Sequence, residues 1–125
     1  MTHRPGDLVG IPFPYSDMTT TKRRPVLVVT TPDRHGDFMG LAVTSVVTEA
    51  SAIAIDAGDM ALGKLPKNSW VRYDKLFTLS SEIITKTYGS LRPESLQSVI
   101  TCLCDYIGCD AMGTQAFDSG VKDDP

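Results

Sequence analysis

Between residues 8 and 91 every apolar run is short, rich in β-formers and closed by turn residues, and only after Pro93 does the pattern take up a helical period. That asymmetry confines the chain to mainly-β folds with a single terminal helix. Pro25–Thr30 (PVLVVT) is the densest β-branched run and the strongest strand. Leu8–Phe13 is a second, interrupted by Gly10 and Pro12 and so placed at an edge or bend. Phe38–Val47 is a third, with Gly40 marking a place for a bulge. Ala52–Ile55 is short. Ser69–Leu76 alternates polar and apolar residues, as a strand with one polar face does. Ile83–Tyr88 fits a strand or a helical turn, closed by Gly89. Tyr15–Lys22 and Thr31–Asp37 carry turn chemistry, and Asp56–Gly63 reads as a loop or ragged turn.

Pro93 suits the first turn of a helix, where no backbone N–H is missed. Leu96, Val99, Ile100, Leu103 and Ile107 then fall on one helical face, and Gly108 is a C-terminal stop. Ala111–Pro125 is small, polar and acidic. The expected organisation is one domain over residues 1–110, its helix at about 93–107, followed by a flexible acidic tail over 111–125. Five or six strands and one helix make a small, strongly bent, mostly antiparallel sheet whose opening or edge the helix covers.

No apolar run approaches the roughly 20 residues that span a bilayer, and Met1–Pro5 leads into a polar turn rather than a secretory segment. The expected location is the cytoplasm. Cys102, Cys104 and Cys109 are an odd count without metal-ligand spacing, which predicts buried or half-buried free thiols. The formal charge is −3, but residues 1–92 hold eleven Lys/Arg against nine Asp/Glu, whereas 93–125 hold one against six. The acidity therefore sits at the C-terminal end, and the slightly basic body permits a nucleic-acid partner.

The sequence has no Gly-rich phosphate loop, no metal-ligand cluster and no Ser-His-Asp arrangement, and no cofactor is expected. His35, beside Gly36, reads as a surface side chain. Chemistry in this chain has to rest on Arg, Thr, Ser and Asp. Lys22-Arg23-Arg24 stands at the mouth of the strongest strand: a solvated charge run, or a phosphate clamp built on guanidinium forks. Thr44 and Ser45 interrupt an apolar strand and need partners or an exposed face. Trp70, Arg72 and Asp74 share one strand face, opposite Val71 and Tyr73. Arg72 and Asp74 there form a surface ion pair or, beside an indole, a phosphate site with a stacking platform.

In order, GDLVGIPFPYSD (Gly6–Asp17), KRRPVLVV (Lys22–Val29), LAVTSV (Leu41–Val46), SWVRYDKLFTLS (Ser69–Ser80) and KTYGSLRPESLQSVI (Lys86–Ile100) resemble the PemK/MazF family of toxin endoribonucleases, over about Gly6 to Ile107. The resemblance implies a small SH3-like, CcdB-like barrel with a C-terminal α-helix, paired as a homodimer. It implies cleavage of single-stranded RNA, no action on DNA or membrane, and neutralisation by a cognate antitoxin. It puts catalytic roles on Arg24, Thr44, Arg72 and Asp74. RNA contacts would come from the first loop, with Ser16 and Asp17, and from Lys22, Arg23, Ser45, Trp70 and Lys75. The chain departs from the family pattern in lacking a His in the first loop, in carrying Arg23 beside Arg24, and in its acidic balance.

The chemistry so implied is attack of a ribose 2′-OH on the adjacent phosphate, giving a 2′,3′-cyclic phosphate and a 5′-OH. The nucleophile is internal, so positioning supplies much of the rate and no metal is called for. Arg24 and Arg72 would hold the charge that develops in the transition state, Thr44 would orient a phosphate oxygen, and Asp74 is the candidate general base. The alternative is a catalytically weak or inactive module of the same barrel that binds RNA or poisons a protein, as the structurally related gyrase inhibitors do. An SH3-like adaptor fits the strands but leaves Lys22–Arg24 without a use.

Overall fold

A computed structural model describes residues 3–14 and 21–108. Among these residues seven antiparallel strands form one sheet: β1 (Asp7–Pro14), β2 (Thr21–Val28), β3 (Asp37–Thr44), β4 (Ala52–Ile55), β5 (Met60–Gly63), β6 (Ser69–Ser80) and β7 (Lys86–Leu91). Their order across the sheet is β4-β6-β3-β2-β1-β7-β5. The two edge strands, β4 and β5, are consecutive in the chain and joined only by residues 56–59, which include a 3₁₀ turn at Ala57–Asp59. A flat sheet of seven strands at ~4.8 Å spacing would hold its edges about 29 Å apart. Five extended steps of chain reach about 18 Å at most. The short link therefore requires the sheet to curl into a half-barrel.

Helix α1 (Pro93–Ile107) packs against β6 at the open side of this curl. Its start is tied to the link between the sheet edges: Arg92 N–H donates to Asp59 O at 2.8 Å, Arg92 Nε to Gly58 O at 2.8 Å, and Ser95 Oγ to Asp59 Oδ1 at 2.7 Å. Gly108 ends the helix in the left-handed conformation, with φ 83°, as its sequence position predicts. Val99 and Leu103 are buried against the sheet and Leu96 packs beside them, whereas Ile107 is exposed.

Strand alternation gives two cores. Leu8, Leu27, Leu41, Val43 and Val71 face the helix side, with Val99 and Leu103. Val9, Ile11, Val26, Val28 and Phe38 form a smaller cluster on the other face, closed by Leu79 and Ile84. Gly40 serves this second cluster: a Cβ there would collide with Val26 Cγ1 and crowd the Phe38 ring.

Several boundaries differ from the sequence reading. β2 begins at Thr21, so Arg23 and Arg24 lie inside the strand instead of before it, and β3 stops at Thr44. The expected loop at 56–63 contains β5, whose residues MALG have low β propensity and which pairs through backbone contact. Gly89 lies within β7 instead of closing it: Gly63 pairs with Gly89, and a Cβ on either would strike the opposite backbone. The register break falls between Leu41 and Ala42, and the extra residues belong to β6, not to Gly40 of β3.

No helix among the described residues is long and apolar enough to cross a membrane. Cys102 and Cys104 are half-buried and form no disulfide, and Cys109 lies with the expected tail outside the described residues.

Candidate active site

The site forms where the start of β2, the end of β3 and the first half of β6 lie side by side. Val26 pairs with Ala42 and Ala42 with Arg72; Thr44 pairs with Trp70. Two residues along the same register, Arg24 comes level with Thr44. Directly paired residues share a face, so Arg24, Thr44 and Arg72 project together from the face of the smaller core. They line one hollow with Lys75 and Phe77, floored by Val26 and Ala42.

A bulge in β6 shapes this hollow. Leu41 pairs with Leu76 and Ala42 with Arg72, which leaves Tyr73, Asp74 and Lys75 without partners on β3. Tyr73 pins the bulge from the helix side: its N–H donates to Ser51 O at 3.2 Å, and its ring meets Tyr106 of α1 edge-on at 5.8 Å between centroids. Ser51 makes this carbonyl available in a left-handed backbone conformation, φ 57°. Arg72 and Asp74 project the other way. Arg72 Nη2 donates to Asp74 Oδ2 at 3.1 Å. Arg72 Nε and Asp74 Oδ1 are buried with no hydrogen-bond partner among the described residues. Asp74 itself is not among the residues that line the hollow and is joined to it through Arg72.

Thr44 ends β3 by accepting the Val46 N–H on Oγ1 at 3.1 Å. That bond uses an oxygen lone pair and leaves the hydroxyl hydrogen to be donated elsewhere.

Adjacent Arg23 faces the other way. Its Nε donates to Thr85 Oγ1 at 3.1 Å and its stem lies across Gly10, where a Cβ would come within 2.5 Å of Arg23 Cδ. It borders a second hollow on the opposite face, with Ser45, Leu65, Lys67, Ser69 and Tyr88; Arg24, Pro25, Val43 and Thr44 form the rim common to both. Among the described residues five cations line the two hollows together, and no carboxylate does.

The structure thus brings together Arg24, Thr44, Arg72 and Lys75 on one face and Arg23 and Ser45 on the other. Trp70 is half-buried and lines neither hollow. Lys22 pairs through its backbone with Phe13 in β1; its side chain, like Ser16 and Asp17, lies outside the described residues. Lys67 and Tyr88 are absent from the sequence reading, although the strand alternation of KTYGSL puts Tyr88 on the face of Lys86. Among the described residues no three His, Cys, Asp or Glu converge as a metal-binding group.

The fold is shared with solved structures. An endoribonuclease from Mycobacterial species superposes with a TM-score of 0.65 at 17% identity, over 85% of this chain and 91% of its own. MazF from Deinococcus radiodurans gives 0.67 at 20% identity, over 86% and 98%. A MazE–MazF complex from the same organism gives 0.69 at 20%, over 85% and 96%. At such identity the likeness shows the fold alone. Comparison with curated protein sequences gives no match. The model of one sequence family, described as PemK-like, MazF-like toxin of type II toxin-antitoxin system, matches residues 4–107. With most of its length matched and the same barrel formed, this chain belongs to that family of toxins.

Proposed function

We propose that this protein is a toxin endoribonuclease that cuts single-stranded RNA through the ribose 2′-OH, works as a homodimer in the cytoplasm and is neutralised by a cognate antitoxin. One observation carries the reading: in a chain of formal charge −3, the described residues that line the two hollows meeting at Arg24 and Thr44 include five cations and no carboxylate. Such a site suits a polyanion. Family membership favours RNA and an antitoxin over other polyanions and partners. An endoribonuclease from Mycobacterial species has been solved with its cognate antitoxin, and an acidic antitoxin segment would suit the same cations.

In the proposed reaction the 2′-oxygen attacks phosphorus and the 5′-oxygen leaves, giving a 2′,3′-cyclic phosphate and a 5′-OH. Arg24 and Arg72 bind the non-bridging oxygens more tightly as charge accumulates on them. Thr44 donates its hydroxyl hydrogen to one of these oxygens. DNA, lacking the 2′-OH, is not cut. Asp74, the general base expected from sequence, is assigned here to holding Arg72, because Oδ2 is engaged by that guanidinium and Asp74 is not among the residues that line the hollow. The same placement favours the second reading, a binding module without turnover, since it leaves no carboxylate base among the described residues that line the hollow.

Incubation with mixed-sequence RNA and matched DNA, in EDTA, separates the two. Cleavage of RNA alone is expected. RNA left intact at enzyme excess would transfer the assignment to the binding module.

A further inference from the structure

We infer that the hollow on the Arg23 side is a nucleotide subsite, in which Tyr88 stacks on the base next to the cut and Arg23 and Lys67 hold its phosphate. The inference rests on the endoribonuclease reading and names how that site grips its substrate.

Tyr88 and Lys67 are held in fixed relation by the chain between them. Ser69, a buried polar residue, donates through Oγ to Lys67 O at 2.9 Å, and Lys64 N–H donates to Tyr88 O at 3.2 Å. Arg23 is set by its bond to Thr85 and by Gly10, above which a Cβ would also crowd the Tyr88 ring at 3.2 Å. A glycine there leaves room for both the arginine stem and the phenol. Lys86 Nζ stands 5.0 Å from the ring centroid, adding a cation to the same platform. The hollow shares Arg24 and Thr44 with the cleavage face. A strand whose reacting phosphate sits on that rim carries its neighbouring nucleotide over Tyr88.

The combination favours RNA over an acidic peptide. Cations alone would serve either, but an aromatic side chain among cations matches a base beside its phosphate. Trp70, the only indole, is not available to this hollow.

The test uses short, mixed-sequence 2′-fluoro RNA, which lacks the nucleophile, with binding read by fluorescence anisotropy. Tyr88→Leu keeps apolar volume against the core and removes the stacking face; it is expected to raise Kd roughly fivefold or more, the loss of one base–aromatic stack. Tyr88→Phe should bind as wild type, and Lys67→Ala should weaken binding while flattening its salt dependence. On cleavable RNA, Tyr88→Leu should raise KM and redistribute the cut sites. Wild-type affinity and cut sites in a folded Tyr88→Leu protein would overturn the inference while cleavage stood, as would loss confined to Trp70→Ala. Tyr88-dependent binding without any cleavage by wild type would instead retain the subsite and remove the nuclease.

Discussion

Two neighbouring arginines show how much one residue step decides. In a strand, successive side chains take opposite faces, so Arg24 joins Thr44 and Arg72 while Arg23 turns to Thr85 and Tyr88. The run Lys22-Arg23-Arg24 is conspicuous in sequence, but its division between two hollows becomes legible only once the strand is known to begin at Thr21. Asp74 is the converse case. Sequence places it beside Arg72 on one face, which the structure bears out, but not whether it reaches substrate. A positioning role makes a specific forecast for Asp74→Asn: a lower kcat with the acidic limb of the pH–rate profile still in place. Disappearance of that limb would identify Asp74 as the base. Away from the site, Asp33 accepts the N–H groups of Asp37 and His35, which hold its carboxyl below the usual range. The stability this contributes is present above the ordinary carboxylate pKa and is lost as pH falls through the lowered one. An NMR titration placing the Asp33 midpoint at or above the usual value would contradict the turn geometry.

At the scale of elements, the sequence exposes those that fold by side-chain pattern and hides those made by backbone contact. α1 is legible to its ends because burial, Pro93 and Gly108 all act locally. β4 is likewise legible at Ala52–Ile55. β5 is not, since its pairing with β7 depends on two glycines far apart in sequence meeting backbone to backbone. That seam predicts that Gly63→Ala or Gly89→Ala costs about 2 kcal/mol or more, from strained positive φ and a blocked approach. Chemical denaturation measures it, and an unchanged midpoint would show the seam to be looser than described. The helix makes a separate forecast: Leu103→Ala, in the main core, should cost about 2–5 kcal/mol. The β6 bulge was also beyond a pattern reading, which counts alternation and has no means of knowing that three residues lack partners. It is nonetheless what sets Arg72 and Lys75 beside Arg24.

For the whole molecule, the mainly-β barrel with its terminal helix was readable from the rhythm of short strands, and the curl follows from the four-residue link between opposite edges. The net charge was misleading on its own, because the described residues lining the two hollows include five cations and no carboxylate. This arrangement sets the expected salt dependence. With about 0.7 in log–log slope per neutralised phosphate, the five cations that line the hollows among the described residues would together give a slope of about −3.5 for single-stranded RNA. A slope near zero would rule out the hollows as the RNA surface. Cleavage through the 2′-OH at Arg24 is tested by end-group analysis of RNA treated with wild type and Arg24→Ala. Discrete fragments with 5′-OH and 2′,3′-cyclic phosphate ends are expected, formed roughly 10²–10³ times more slowly by the variant. Fragments with 5′-phosphate ends, or a variant that cuts at the wild-type rate, would contradict it.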